Sequence, residues 1–400
     1  MRALLSVEEG WHAEDALARG LPEGPDGRLA WHDVFGVLRH RSVLDAALRP
    51  HLRQPLATLD APVRAVLRVG AFEKLFSRTP DHAVVQQMVE VARRTGAGRA
   101  SGLVNAVLRR VAMPTGLSRA ESLDHPAWLV ARWDQRYGAE ATDAWCARNN
   151  TIAPICLVTR DPEALDARLE SAAPEAMLEG MALPGTRVVP AGADLPGVED
   201  GLAWVQDPSS VKVADLLADA VGSGWVLDAC AAPGGKSARL WARGLDVTAT
   251  DLEERLLPLG ANMERITSGS EGPAVDVQAW DWTQGTPAEL GSFDGVLVDA
   301  PCTGLGTLRR HPEIRWRRTV DDIRSSAERQ LAILNAAAQS VKPGGVLVYA
   351  VCSPEPEEGS EVVSRFLERA PEFLRELDWS SAPPSGEEDA HQAFVMRRNA

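Results

Sequence analysis

Between residues 225 and 352, apolar runs (WVLDAC, VTATD, VDVQAWD, FDGVLVDAPC and GGVLVYAVC) alternate with stretches of helical character such as KSARLWARG, LEERLLPLGANMERI and SSAERQLAILNAAAQSV. This alternation leaves little choice of fold. Consecutive parallel strands need a crossover, the crossover is usually a helix, and the product is a doubly wound sheet whose ligands sit beyond the carboxyl ends of the strands. The residues at those ends are chemically loaded: Asp228, Asp251, Asp281, Asp299 followed by Cys302, and Cys352. Residues 206–400 are therefore expected to form an α/β domain with its site along one edge of the sheet.

The chain of 400 residues is long enough for more than one domain. Residues 1–113 show apolar positions at three- and four-residue spacing and are expected to form a small all-α domain. In LVNAVLRRV the period puts Leu103, Val107 and Val111 on one stripe, and TPDHAVVQQMVEVARR opens a helix with Asp81 as its cap. Residues 114–205 mix one helix, HPAWLVARWDQRYG, with β-like runs ICLVTR and TRVVPA, which suggests a small α+β middle domain.

A formal charge of -14 argues by itself against a polyanionic partner. The distribution argues the other way. Residues 61–112 carry nine bases against three acids, whereas residues 353–391 carry eleven acids and three bases. Such a split field can steer a nucleic acid toward one face. The cysteines Cys146, Cys156, Cys230, Cys302 and Cys352 are far apart, with no Cys-x-x-Cys pair, and the histidines show no metal spacing. Neither a disulfide framework nor a metal site is expected. No apolar run is long enough to span a membrane, and acids occupy the first ten residues, so a cytoplasmic protein without membrane partners is expected.

DACAAPGGK, residues 228–236, follows a strand and opens a helix, and its small residues let backbone amides approach a ligand closely. It lacks the spacing of a nucleotide-triphosphate loop. With Asp251 and Asp281 ending the next two strands, the set suggests a ligand containing adenosine. Free cysteine is ordinarily a small core hydrophobe, which suits Cys146 and Cys156. Cys302 and Cys352 stand at strand ends beside the ligand crevice and are candidate nucleophiles, while Cys230 lies inside the glycine loop and is expected to pack or touch ligand. The run RRHPEIRWRR, residues 309–318, directly follows Cys302, so Arg309, Arg310 and Arg315 are candidates for phosphate contact, with Trp316 between arginines either packed or stacked on a base.

Together DACAAPGGK, DAPCTGLGTLRRHPEIRW, KPGGVLVYAVCS and VEDGLAWVQDPSS resemble the motifs of the Sun-type RNA (cytosine-5) methyltransferases. GVLRHRSVLDAAL, RVGAFEKLFSRTPDHAVV and GLVNAVLRRV resemble the NusB-like RNA-binding domain of the bacterial RsmB (Sun/Fmu) branch. The resemblance implies a multidomain chain: a NusB-like all-α domain over 1–113, the middle domain over 114–205, and a Rossmann-like methyltransferase domain over 206–400. It implies S-adenosylmethionine as cofactor, held by Cys230, Ala231, Ala232, Pro233, Gly234, Gly235 and Lys236, with Asp251 on the ribose, Asp281 near the adenine and Asp299 between cofactor and base. It implies 16S ribosomal RNA as substrate, met by Arg109, Arg110, Arg309, Arg310 and Arg315. By the family pattern Cys352 is the nucleophile on carbon 6 of cytosine, and Cys302 assists proton loss from carbon 5 and product release. A monomer with no metal requirement and no DNA partner is expected.

Four rivals differ in testable ways. A transfer RNA methyltransferase would share the chemistry, and a DNA enzyme would place the nucleophile in the Pro-Cys motif. A non-catalytic assembly factor would have no need of both cysteines, Asp299 and the glycine loop. A nicotinamide dehydrogenase would carry G-x-G-x-x-G where this chain has AAPGGK.

Overall fold

The computed structural model describes residues 1–20, 24–172, 183–269 and 272–400. The chain divides into two compact units, Met1–Thr151 with Leu308–Arg317, and Ile152–Thr307 with Arg318–Ala400. The stretch expected as one middle domain is therefore shared out. Its helices Ala127–Tyr137 and Ala139–Asn149 belong to the first unit, and its strands to the second. A second departure is that Leu308–Arg317 leaves the surrounding α/β sequence and joins the helical unit.

In the helical unit, Pro25–Arg39, Arg41–Leu48, Ala61–Phe76, Asp81–Arg94 and Ser101–Leu108 bury one apolar core that includes Phe35, Leu44, Leu67, Phe72, Met88 and Leu108. Burying side chains of this size contributes roughly 1.5–3 kcal/mol each. Helices approach closely at Gly36, where an added Cβ would stand 2.0 Å from the Phe72 ring. The stripe on Ser101–Leu108 is Val104, Val107 and Leu108 rather than one containing Leu103, which is exposed. Asp81 does not cap its helix. It is the first helical residue and pairs with Lys74 at 3.0 Å instead. Further along, Trp133 and Trp145 stack at 4.0 Å and join Ala127–Tyr137 to Ala139–Asn149. Among the described residues no helix is long and apolar enough to cross a membrane.

The second unit holds two sheets. In the smaller, β1 (Ile155–Thr159) lies between β2 (Thr186–Val189) and β3 (Ala203–Val205), antiparallel to both. Period-two alternation splits its faces. Leu157 packs with Leu165 and Leu169 of the helix Pro162–Ala172, while Cys156 and Val158 join the core of the larger sheet.

That larger sheet contains β4 (Trp225–Asp228), β5 (Asp246–Asp251), β6 (Asp276–Ala279), β7 (Phe293–Asp299), β8 (Val341–Val351), β9 (Phe373–Ser380) and β10 (Gln392–Arg398). Their order is β6-β5-β4-β7-β8-β10-β9; the first five are parallel, and β10 and β9 run antiparallel at one side. The order reverses between β4 and β7, which opens a crevice beyond their carboxyl ends. Apolar clusters cover both faces: Leu217, Leu240 and Leu259 on one, and Leu331, Leu334 and Phe366 on the other. The rigid sheet thus presents Asp228, Asp251, Asp299 and Val351 along one edge.

Candidate active site

The glycine loop leaves β4 after Asp228 and enters the helix Gly235–Ala242. Gly234 has a φ of +110°, and a Cβ there would stand 2.7 Å from Met263, so glycine is needed on both counts. Asp251 braces the loop: its Oδ2 accepts the Ala232 amide at 2.8 Å, and its Oδ1 accepts the Leu252 amide at 2.8 Å. Asp281 stands two residues beyond β6, where it caps a short turn by accepting the Thr283 amide at 2.9 Å. Cys230 is no nucleophile here, because burial first and the acids Asp251 and Asp228 next push its thiol well up.

Asp228 is fully buried; burial pushes its carboxyl up to about 7 against the opposing hydrogen bond from Ser237, whose hydroxyl donates to Oδ2 at 2.7 Å. Its Oδ1 has no partner. Lys236 reaches Asp299 at 2.5 Å. Burial works against the Lys236 ammonium, but attraction to Asp299, Asp228 and the Cys352 sulfur outweighs it and holds the pKa above the ordinary lysine value.

The two strand-end cysteines meet. The register pairs Asp299 of β7 with Ala350 of β8, so the residues just beyond face one another, and the sulfurs of Cys302 and Cys352 lie 2.8 Å apart. Both are free thiols, half-buried. The hydrogen bond to Cys352 first, and burial second, push the Cys302 thiol well up. Cys302 therefore keeps its proton, and either sulfur can donate in the contact between them.

Glu358 was missed in the sequence, where it is one of the eleven acids counted over residues 353–391. It is fully buried and ties the two cysteine loops together. Its carboxylate accepts the Thr303 amide at 2.8 Å, the hydroxyls of Thr303 and Ser353 at 2.5 Å each, and the Gln330 amide at 3.1 Å. Burial raises its pKa against those bonds. Gly306 adds a second tie, since its amide donates to the Cys352 carbonyl at 3.0 Å, and a Cβ would stand 1.9 Å from Ala390 O. The QDPSS stretch, residues 206–210, also meets the C-terminal DAHQAF stretch, through Ser209 Oγ donating to Asp389 O at 2.7 Å.

The arginine assignments divide. Arg109 and Arg110 are exposed on the helical unit, and Arg109 lines a groove of about 720 Å³ with Lys74, His82, Asn105 and Arg93. Arg68 and Lys74, counted among the bases of 61–112, are spent internally: Arg68 on Asp45 at 2.8 Å and Lys74 on the Leu108 carbonyl at 2.9 Å. Arg315 cannot contact phosphate. It is fully buried, and its Nη atoms donate to Asp124 O, Asn149 O, Asn150 Oδ1 and Leu308 O at 2.6–3.1 Å. Arg309 is 9% exposed and donates to Thr151 Oγ1 at 3.0 Å, so it too is structural; Arg310 is half-buried. Trp316 packs, with its indole donating to Leu38 O at 2.7 Å.

Residues 216–394 match the family model described as 16S rRNA methyltransferase RsmB/F, and residues 3–113 match that of the NusB family. The chain is similar to ribosomal RNA small subunit methyltransferase B of Thermus thermophilus, 38% identical across 93% of this chain and 87% of the relative. The corresponding Pseudomonas putida protein is 37% identical over 86% and 81%. In fold the chain is similar to the crystal structure of PH0851, with a TM-score of 0.84 at 21% identity over 99% of this chain and 97% of that one.

Proposed function

This chain belongs to the RsmB/F family of methyltransferases, and we propose that it methylates carbon 5 of a cytosine in 16S ribosomal RNA through a covalent cysteine–cytosine intermediate. The observation that carries the proposal is the pair of sulfurs 2.8 Å apart at neighbouring strand ends, with the Lys236–Asp299 ion pair in the same crevice.

The β4 edge suits S-adenosylmethionine. Asp228 has an unpartnered buried oxygen, Gly234 turns the main chain where a side chain would collide, and Asp251 steadies the loop while keeping lone pairs for ribose hydroxyls. When bound, the cofactor supplies a methyl group on a sulfonium, already electrophilic. What the protein must supply is a nucleophilic carbon 5.

Cys352 supplies it by adding its sulfur to carbon 6, which breaks the 5,6 double bond and places electron density on carbon 5 and N3. The Lys236 ammonium attracts the Cys352 sulfur, and through Asp299 it offers a proton to N3 as charge develops there. Carbon 5 then takes the methyl group. Cys302 is timed for the last step. Its pKa is raised chiefly by the bond to Cys352, and that cause disappears once the Cys352 sulfur is a neutral thioether. Once Cys302 has given its own proton to solvent, it takes the carbon 5 proton as a thiolate; the double bond re-forms, N3 returns its proton through Asp299, and the carbon–sulfur bond breaks to return the Cys352 thiolate. The base must leave its stack to reach this crevice.

Single-cysteine variants test the assignment. Cys352→Ala should give neither product nor adduct. Cys302→Ala should add and methylate but release slowly, leaving an RNA–protein adduct that survives denaturing electrophoresis when cofactor is present. The opposite pattern, with Cys352→Ala trapping RNA, reverses the roles. Bisulfite sequencing of 16S RNA with and without the gene tests the substrate.

A further inference from the structure

Three residues that sequence spacing did not group, His12, His311 and Glu313, meet inside the helical unit. Each can present one ligand atom, and these atoms all lie within 4.8 Å of one another. His12 stands immediately before the helix Ala13–Ala18, and the other two come from the segment Leu308–Arg317.

The geometry of one pair is already that of neighbouring ligands. His12 Nδ1 is 3.2 Å from Glu313 Oε1, and two donors held ~2.1 Å from a tetrahedral ion stand about 3.4 Å apart. A second observation is independent of the first. Glu313 is 1% exposed, and both its Oε2 and the Nδ1 of His311 are buried without a hydrogen-bond partner. Buried polar atoms are nearly always partnered, by protein, water or ion, so two orphans in one cluster call for an occupant.

We propose that His12, His311 and Glu313 form a binding site for a divalent transition-metal ion, zinc in the first instance. Two imidazoles and a carboxylate suit zinc, cobalt or nickel, whereas magnesium and calcium take oxygen ligands. Three protein ligands leave the fourth position to water on the side of His12, whose side chain is 54% exposed. The His311 nitrogen closes toward the pair when the ion enters. Two features limit the affinity to the micromolar range: the Ala13 amide already donates to Glu313 Oε1 at 3.3 Å, and the Arg317 guanidinium, bound to Val7 O at 2.8 Å, adds positive charge nearby. The ion would pin Leu308–Arg317 to the start of a helix some three hundred residues earlier, and its binding would raise the stability of the helical unit by linkage. The proposal is independent of the methylation chemistry.

The test is titration of the full, metal-free chain with zinc chloride against a chromophoric chelator, with the fold checked by circular dichroism. One equivalent should bind. His12→Asn, which places a side chain suited to the position before the helix, and Glu313→Gln, which keeps the volume, should each weaken binding by about tenfold or more. Substituted cobalt should show visible ligand-field bands without the near-ultraviolet charge transfer of thiolate ligation. Absence of zinc binding by the folded chain, unchanged affinity in His12→Asn, or a thiolate band placing the ion at Cys302 and Cys352 would each overturn the proposal.

Discussion

Arg315 and Lys236 are both buried cations, one in the helical unit and one at the edge of the sheet, and they are held in opposite ways. Arg315 sits among neutral oxygens, three of them main-chain carbonyls, and burial drops its pKa to about 10. Lys236 sits among groups that titrate or react, with Asp299, Asp228 and Cys352 all drawing on its charge. A cation whose hydrogen bonds all go to neutral oxygens fixes a position, because those bonds do not depend on the ionisation of a partner. A cation among acids and a thiol passes on every change in their ionisation. The first arrangement builds a scaffold, and the second is the kind that the proposed reaction needs.

Substitution of both should separate the roles sharply. Arg315→Ala would leave four acceptors buried without their donor, and we expect a loss of about 3–5 kcal/mol of stability in chemical denaturation. A loss under about 1 kcal/mol would mean that the cage contributes little. Lys236→Met should leave the chain folded but lower single-turnover methylation about a hundredfold, or about 2.7 kcal/mol of barrier. If its unfolding transition moves as far as that of Arg315→Ala, the contrast between the two cations fails.

Glu358→Gln sharpens the same contrast within the sheet unit. It replaces one acceptor oxygen by a donor facing Thr303, Ser353 and Gln330, so the cysteine loops should lose their alignment. Single-turnover rate should fall about tenfold while affinity for RNA stays constant, since the residue holds the reacting groups and not the substrate. An equal change in affinity would point to a wider disturbance.

The helical unit also contains a titrating pair, which tests how inert its buried charge is. Burial first, and then the hydrogen bond and repulsion from Glu73, push the Asp33 carboxyl from 3.8 up to about 8. Burial works against Glu73 too, but hydrogen bonds from Asp33, Thr79 and Ser77 hold it below the ordinary range, so the pair shares one proton, carried by Asp33. A raised folded-state pKa means that this contribution to stability is full below about 3.8 and is lost as pH rises toward about 8. Asp33→Asn should flatten stability against pH within that window. An unaltered slope would remove Asp33 as its source.

The smallest stability effect is expected at the exposed pair. Replacing Arg109 and Arg110 by Glu should leave stability within about 0.5 kcal/mol. RNA affinity should fall and its dependence on salt should weaken by roughly two phosphate contacts. Unchanged binding would show that the RNA is met elsewhere.

The sheet was legible because each strand end announces itself: WVLDAC, VTATD and VLVDAPC are apolar runs broken by an acid or a cysteine, and parallel strands must bring such ends to one edge. The neighbouring placement of Cys302 and Cys352 follows from the β7–β8 pairing, which no local pattern states. RRHPEIRWRR was expected to contact phosphate and Glu358 was not singled out, and both outcomes have one physical reason: charge in a sequence carries no local sign of its partners. Arg315 finds carbonyls near Asp124 and Asn149, and Glu358 finds donors at Thr303 and Gln330, all remote in the chain. Leu103 was misplaced by one residue of helical phase, which a stripe of three positions does not fix.

The lending of Leu308–Arg317 to the helical unit bears on the order of events during synthesis. An amino-terminal domain usually completes itself while the rest of the chain is still being made. This one cannot, because Arg315, which fills the space beside Asp124 and Asn149, emerges long after Thr151. At about 5–20 residues per second the delay is on the order of ten to thirty seconds. For that interval the nascent helices have an open seam, and the polypeptide that closes it is the one leading away from Cys302. Completion of the helical unit is thereby made to wait for a segment that lies between two strands of the larger sheet, β7 and β8.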